Sequence, residues 1–248
     1  MTKYINFIFD KIKNFFLIPF ILKDFFYLKK ASRKNSRFLV RIKDLYPCVL
    51  DKTPKTSFDR HYIFHTAWAA RKIKEISPKF HTDISSNLYF SSIVSAFVPV
   101  KFYDYRPANL NLSELSSERA DLLSLPFPDG SIKSLSCMHT VEHVGLGRYG
   151  DPIDPDADLK AIKELKRVLA RNGSLLFVVP IGGQPKIYFN AHRIYSYDQI
   201  ISYFSGLILK EFTLIPQYEK DGGIIYGATK EMADKEKYAC GCFWFIKK

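Results

Sequence analysis

The stretch KFHTDISSNLYFSSIVSAFVPVKFYDY, residues 79–105, contains three consecutive elements of predicted secondary structure. "KFHTDIS" is typical of a short strand that ends at Asp83, "NLYFSSIVSAF" of a helix, and "VPVKFYDY" of a second strand that ends at Asp104. A strand, a helix and a strand in this order predict a βαβ unit, whose two strands lie parallel in one sheet.

The alternation of helices and strands extends on both sides of this unit. A helical pattern, FDRHYIFHTAWAARKIKEI, precedes it, and a second amphipathic helix, DADLKAIKELKRVLARNG, is expected to end at Gly173. Another helix is predicted from about Ser196. Further strands are predicted at a short extended piece before Asp121 and at IKSLSCM, SLLFVVPIG, LILKEFTLI and YACGCFWFI. We therefore predict an α/β fold with a doubly wound, mostly parallel seven-stranded sheet.

Positive charge is concentrated in the first third of the chain. Of the 248 residues, with a formal net charge of +12, residues 1–80 hold 18 Lys and Arg against 6 Asp and Glu. We predict a basic, aromatic-rich helical extension over residues 1–50, where Pro19 is expected to kink or break the helix, and a main domain over residues 58–248.

Three partners are open for this extension. Its uncharged run, residues 14–22, is shorter than the roughly 20 residues that a bilayer span needs, and charges interrupt the pattern of a secretory signal. We therefore expect a cytoplasmic protein. Residues 1–35 either pack on the main domain or lie on an anionic membrane surface at the inner face, and contact with nucleic acid is the less favoured alternative.

Acidic residues are predicted at the ends of successive strands. In a doubly wound sheet the ligand lies beyond the carboxyl ends of the strands, where Asp83, Asp104 and Asp121 are expected. Asp104 follows Asp83 by 21 positions, a spacing at which a carboxylate accepts hydrogen bonds from the two ribose hydroxyls of a nucleoside cofactor. This edge of the sheet is therefore the predicted ligand site.

The segment HTVEH, residues 139–143, matches the zinc pattern H-x-x-E-H. That chemistry needs both histidines on one face of a helix and a further distant ligand. His139 directly follows a predicted strand, so its backbone is expected to turn rather than to be helical. The four cysteines form no C-x-x-C pair. We therefore predict no metal site.

Several motifs, taken in order, resemble those of the class I S-adenosylmethionine-dependent methyltransferases, which have a Rossmann-like fold. They are "DISS", "YDYR", "ADLLSLPFPDGSI", "HTVEHVG", "ELKRVLARNGSLLFVVP" and "HRIYSYDQI", and the resemblance runs from about residue 58 to the C-terminus. "EHVGLGRYGDPID", "FNAHR" and "YACGCF" more narrowly resemble an uncharacterised domain-of-unknown-function branch, met among bacterial genes for surface polysaccharides. One departure is Ser85, which stands where this family has a glycine.

The resemblance implies S-adenosylmethionine as the cofactor and assigns residues to each part of it. The methionine part is bordered by Asp83, Ile84, Ser85 and Ser86, the ribose by Asp104, the adenine by Asp121 and Leu122, and the sulfonium by Met138, His139 and Thr140.

Candidate catalytic and acceptor-binding residues follow the fourth and fifth strands. His143 is the expected base, since a neutral imidazole accepts a hydroxyl proton, and Glu142 and His139 are expected to support it. The acceptor is expected to contact Arg148, Asp151, His192 and Arg193. We expect O-methylation of a surface glycan or another small-molecule acceptor. An inactive, membrane-associated scaffold and an RNA methyltransferase stay open.

Overall fold

The computed structural model of the chain describes residues 2–32, 37–48 and 51–248, which form two compact units, residues 1–58 and 59–248. Helix α1 spans Thr2–Ala31, and a single-turn 3₁₀ helix spans Ile42–Asp44. The predicted segments 1–35 and 1–50 include Met1, residues 33–36 and residues 49–50, which lie outside the described residues.

Helix α1 continues through Pro19, so the expected break is wrong. Proline removes one backbone donor, and the remaining hydrogen bonds still hold the helix. None of the helices in the described ranges combines the length and the apolar character of a bilayer span.

The second unit contains one large sheet with the strand order β3-β2-β1-β4-β5-β10-β8-β9 and a separate β6-β7 hairpin. Its helices are α2 Arg60–Ile76, α3 Leu88–Val94, α4 Ala157–Val168, α5 Tyr197–Tyr203 and α6 Lys230–Asp234. Its strands are β1 His81–Ile84, β2 Val100–Asp104, β3 Leu115–Arg119, β4 Ile132–Met138, β5 Leu169–Ile181, β6 Lys186–Tyr188, β7 His192–Ile194, β8 Leu207–Ile215, β9 Ile225–Tyr226 and β10 Ala239–Lys247.

The sheet confirms the predicted α/β, doubly wound architecture and corrects its strand number. Strands β3, β2, β1, β4 and β5 are parallel, and β10 is antiparallel to both of its neighbours, β5 and β8. There are eight strands instead of seven, because the two-residue strand β9 pairs with Thr213 and Leu214 at the edge. The strand order reverses between β1 and β4, where such folds open a crevice.

Helix α4 ends earlier than predicted. It stops at Val168, and β5 begins at Leu169 without a loop, so Gly173 lies inside a strand. A Cβ at Gly173 would lie 2.8 Å from the carbonyl oxygen of Ala170 and 3.0 Å from that of Ile132. The glycine therefore permits a close approach between strands and does not end the helix.

Helices cover both faces of the sheet with separate apolar cores. One core packs α4 and α5 against the sheet, and Phe243 and Phe245 of β10 belong to it. The other packs α2 and α3 against the opposite face, and Cys240 and Cys242 belong to it. Alternate residues of a strand point to opposite faces, so the two cysteines lie on one face of β10 and the two phenylalanines on the other.

Candidate functional site

A cavity of about 510 Å³ lies at the carboxyl ends of β1, β2 and β4, beside the reversal of strand order. The predicted residues that line it are Ser85, Asp104, Asp121, Leu122, His139, Thr140, His143 and Asp151. Those that do not are Asp83, Ile84, Ser86, Met138, Glu142, Arg148, His192 and Arg193. The topology therefore brings the two strand-end acids and part of the HTVEH segment to one space.

Asp104 and Asp121 each offer an oxygen atom to this cavity. Asp104 Oδ1 accepts a hydrogen bond from the Arg106 backbone N–H at 2.7 Å, and Asp121 Oδ1 accepts one from that of Leu123 at 2.8 Å. These turns orient both carboxylates. No side chain or backbone group of the described residues bonds the second oxygen of either acid, so both are free to accept from a ligand.

Ser85 has a left-handed backbone conformation, which favours glycine. Its φ is +54°, a left-handed value that L-residues other than Asn and Asp adopt rarely. Its N–H donates to Tyr103 O at 2.8 Å, and its carbonyl accepts from Thr140 Oγ1 at 2.9 Å. The loop therefore keeps the glycine geometry and places a serine side chain at the cavity wall.

Asp83 lies beneath the cavity, buried in a polar network. Its carboxylate accepts hydrogen bonds from Ser136 Oγ on β4 and from Ser91 Oγ on α3, the latter at 2.5 Å. His81 Nε2 lies 2.8 Å from the same Ser136 Oγ. Burial raises the pKa of Asp83 to about 6, against the lowering effect of the serine hydroxyls. The expected contact between Asp83 and the cofactor is therefore corrected, because internal donors occupy this carboxylate.

Ile84, Ser86 and Met138 also serve the framework below the cavity. Ile84 and Met138 are almost completely buried, in opposite cores of the sheet. Ser86 Oγ accepts a hydrogen bond from the Met138 backbone N–H at 3.1 Å. These residues hold the ends of β1 and β4 together and do not border the cavity itself.

The HTVEH segment forms a tight turn and not a helix with two histidines on one face. Strand β4 ends at Met138, His139 has φ +54°, and only Val141–His143 form a 3₁₀ turn. The expectation that the His139 backbone turns is confirmed. A metal held by His139 and His143 from one helical face does not fit this geometry.

Glu142 pairs with His139, and this corrects its expected role beside His143. Oε1 of Glu142 lies 2.8 Å from His139 Nδ1, and 3.7 Å from His143 Nε2, which is beyond hydrogen-bond distance. Burial opposes both charges, but the contact with Cys240 and the bond to Glu142 raise the pKa of His139. The bond to His139 lowers the pKa of Glu142 against burial. Glu142 is therefore a positioning residue for His139.

His143 is held as a neutral imidazole at the cavity wall. Its Nδ1 lies 2.6 Å from Ala191 O, which can only accept, and 3.1 Å from Arg148 Nη1, which can only donate; the shorter contact assigns the proton to Nδ1. Arg148 Nη1 donates to the same carbonyl at 2.9 Å. Burial lowers the pKa of His143 more than Glu142 raises it. The lone pair on Nε2 is therefore the basic atom of this residue.

The glycine-containing loop after His143 is organised by Asp151. Asp151 Oδ2 accepts from the N–H of Gly145 at 2.6 Å, and Oδ1 accepts from that of Tyr149 at 3.1 Å. These backbone donors lower the pKa of Asp151 although burial opposes the effect. Gly145 has φ +77°, and a Cβ there would lie 2.1 Å from Asp154 O. Asp151 thus shapes the loop, and its carboxylate is already occupied.

Arg193 is internal, which corrects its expected contact with an acceptor. Its side chain is 6% exposed, and its guanidinium donates to Val144 O at 2.6 Å and to Pro155 O at 3.3 Å. Its Nε also lies 3.6 Å from Asp158 Oδ2. A buried guanidinium with these partners anchors the loop from behind, and it does not line the cavity.

Sequence reasoning missed an aromatic and basic group beside the cavity. Arg106 and Tyr149 line the cavity, and the Arg106 guanidinium lies 4.7 Å from the centre of the Tyr149 ring. Arg148 lies 5.1 Å from the same ring. Arg106 follows the strand-end Asp104 closely enough to have been found, whereas only the folded loop brings Tyr149 to it.

Comparison with known proteins supports the fold and leaves the activity open. A family described as "Caenorhabditis protein of unknown function, DUF268" matches residues 130–232. A search of curated protein sequences gives no match.

Solved structures match most of the chain. A protein of Galdieria sulphuraria described as a sarcosine dimethylglycine methyltransferase has 13% identity and a TM-score of 0.52, and the match covers 74% of this chain and 84% of that one. A Haloferax volcanii complex of a methyltransferase with the Trm112 activator gives 17% identity and a TM-score of 0.50. This match covers 76% of this chain and 90% of that one. The cyclase SpnF has 12% identity and a TM-score of 0.51, and the match covers 73% of this chain and 81% of that one. The chain therefore has the Rossmann-like fold of the class I methyltransferases.

Proposed function

We propose that this chain is an S-adenosylmethionine-dependent methyltransferase that acts on a hydroxyl oxygen of a surface glycan or its precursor. The observation that carries the proposal is the cavity at the reversal of strand order, where Asp104 and Asp121 each present an unbonded carboxylate oxygen. Ligands of doubly wound folds bind at this position.

The cavity chemistry fits this cofactor. Asp104 accepts from ribose hydroxyls, Asp121 accepts from the adenine amino group, and Leu122 offers apolar contact to the ring. The volume of about 510 Å³ lies within the range of small-molecule sites, roughly 300–1,000 Å³. When bound, S-adenosylmethionine supplies an electrophilic methyl group, and the protein then has to align and deprotonate the acceptor.

Residues on the other side of the cavity suit an anionic sugar. His143 offers a neutral Nε2 as the base for a hydroxyl proton. Tyr149 offers a ring face for a sugar, and Arg106 beside it offers charge to a carboxylate or phosphate. The polysaccharide setting itself rests on the resemblance of "EHVGLGRYGDPID" and "FNAHR".

Calorimetric titration of the full chain with S-adenosylmethionine tests the cofactor, and transfer of labelled methyl tests the acceptor. We expect binding, and transfer to nucleotide-linked or oligomeric anionic sugars in preference to neutral sugars and RNA. Transfer to RNA alone would refute the proposal of a glycan acceptor. The absence of S-adenosylmethionine binding would refute the proposal that the chain is a methyltransferase.

A second candidate function, a scaffold without turnover, is favoured by the serine at position 85. Replacement of Ser85 by glycine relieves the strain of a left-handed backbone conformation, about 1 kcal/mol, and removes a side chain from the cavity wall. The strain is present with and without ligand, so its relief should raise the thermal stability; because the side chain also leaves the cavity wall, we expect Ser85→Gly to bind S-adenosylmethionine more tightly than wild type.

The matched control is Ser77→Gly, because Ser77 is also a serine at positive φ, +49°, and does not line the cavity. It is expected to raise thermal stability and to leave the affinity unchanged. If neither wild type nor Ser85→Gly binds the cofactor, the result supports the scaffold function and refutes the methyltransferase activity.

We also infer that helix α1 binds anionic membrane surfaces at the inner face of the membrane. Phe20, Phe26 and Tyr27 are exposed, and Lys29 and Lys30 lie in the last turn. The apolar rings can enter the membrane interface, and each lysine near anionic headgroups adds about 1 kcal/mol to the binding.

Flotation of the full chain with vesicles tests this binding. We expect it to bind vesicles that contain phosphatidylserine and not pure phosphatidylcholine. Replacement of Lys29 and Lys30 by glutamate should abolish binding, while replacement by arginine should preserve it. Equal binding of the glutamate variant would contradict the inference.

A further inference from the structure

On the far side of His139 from the glycine loop, three metal-ligating side chains converge. His61 on α2, His139 after β4 and Cys240 on β10 each offer one ligand atom, and these atoms all lie within 4.8 Å of one another. All three side chains are buried. His139 lines the cavity, whereas His61 and Cys240 do not, so the proposed methyl transfer gives these two residues no role.

His139 is oriented as metal-bound histidines are. Its Nδ1 donates to Glu142 Oε1 at 2.8 Å, and its Nε2 faces Cys240 Sγ at 3.4 Å. Histidine ligands almost always donate their other ring N–H to a carboxylate or carbonyl, which fixes the tautomer and the ring orientation. The bond to Glu142 therefore orients the His139 ring so that Nε2 faces the Cys240 thiol, where it can bind the same metal ion as the sulfur.

His65 supplies a third nitrogen in the same region. Its Nδ1 donates to His61 O at 2.6 Å, and its Nε2 is buried with no hydrogen-bond partner among the described residues. Its ring centre lies 4.9 Å from that of His139. A buried acceptor without a partner is costly, and a bound cation would satisfy it. His61 and His65 are four residues apart, on one face of α2.

We propose that His61, His139 and Cys240 bind one zinc-class transition-metal ion, and that the ion draws His65, whose Nε2 stands outside the 4.8 Å group, into the fourth position. Imidazole and thiolate are the donors that zinc prefers, whereas magnesium and calcium prefer oxygen. The Cys240 thiol proton and the Nε2 proton of His139 pass to solvent on binding, since a thiolate and a neutral imidazole are the ligands.

Such an ion would connect α2, the end of β4 and the start of β10. It would hold His139 in its left-handed conformation beside the cavity, so its role is structural and independent of methyl transfer. A four-coordinate site closed by protein side chains is typical of structural zinc.

Titration of the metal-free full chain with Zn²⁺, in competition with a chromophoric chelator, tests the proposal. We expect one ion per chain, bound with a Kd below about 1 μM, since structural zinc sites reach apparent binding energies of about 10 kcal/mol or more. With Co²⁺ as the probe we expect a tetrahedral spectrum with a thiolate charge-transfer band. The absence of both signals in the wild-type protein would overturn the proposal whatever the variants do.

Two cysteine variants locate the site. Cys240→Ser should remove the charge-transfer band and weaken Zn²⁺ binding at least about 100-fold, since even the loss of a supporting group costs 10–100-fold. Cys137→Ser is the matched control, because Cys137 is also fully buried and free, and it should retain both signals. Glu142→Gln should weaken binding about 10–100-fold and keep the band. Wild-type affinity in Cys240→Ser would refute the assignment.

Discussion

The Asp104→Ala variant should bind S-adenosylmethionine at least about 100-fold more weakly than wild type. The carboxylate is expected to accept two ribose hydroxyls, and each hydrogen bond to a charged group contributes about 1.5–3 kcal/mol, with 1.4 kcal/mol per tenfold change in affinity. Among the described residues, the side chain of Asp104 accepts only the Arg106 N–H, at an exposed turn. The substitution therefore removes ligand contacts and leaves the core intact. Calorimetric titration measures the change.

Two further variants make this result specific. Asp104→Asn keeps the shape and loses the charge, so it should bind with intermediate affinity. Asp221→Ala is the matched control, because Asp221 is exposed and does not line the cavity, and its affinity should equal that of wild type. An affinity of Asp104→Ala within about twofold of wild type, which is under 0.5 kcal/mol, would show that the cofactor does not use this carboxylate.

The His143→Gln variant should transfer methyl groups about 10²–10⁴-fold more slowly than wild type, the usual contribution of a general base. Glutamine can still donate to Ala191 O, so the loop contact at 2.6 Å is retained and the basic lone pair is lost. Affinity for S-adenosylmethionine should not change, because the base acts on the acceptor. The readout is the initial rate with the anionic sugar that accepts methyl best.

The pH profile distinguishes a base from a structural histidine. Burial lowers the pKa of His143, so the neutral imidazole persists below its usual pKa of 6.5. The wild-type rate should therefore stay level as the pH falls through 6.5 and decline only at lower pH, whereas the variant should show no such decline. Free imidazole should partly restore the rate of His143→Gly. A full rate in His143→Gln would remove His143 from the mechanism.

Local patterns were sufficient to predict most of the fold. Strands β1 and β2 and helix α3 match the βαβ unit read from residues 79–105, because short strand-forming runs and helical spacing are local properties. The end of α4 was misplaced because Gly173 serves a strand contact with Ile132, which no local pattern indicates. Strand β9 was missed because its two residues carry too little pattern and depend on pairing with β8.

For the candidate site, strand ends were predictable and burial was not. Asp104 and Asp121 reach the cavity because each follows directly on its strand or turn. Asp83 follows the same rule, but Ser91 and Ser136 enclose its carboxylate. Arg193 was expected to contact a substrate and is instead buried, with its Nε 3.6 Å from Asp158 Oδ2. Which polar groups face a ligand depends on neighbours that the chain brings from a distance.

By itself the sequence determined the alternation of helices and strands, the crevice at the strand ends and the non-helical backbone of His139, since these follow from periodicity and from the direct succession of residues. Only the tertiary structure decided what His139 faces. Its partner Cys240 lies 101 positions away, and His61 arrives on a helix from the other end of the domain. Packing on one face of the sheet brings these ligand atoms within 4.8 Å, and such long-range contacts leave no periodic signal in the chain.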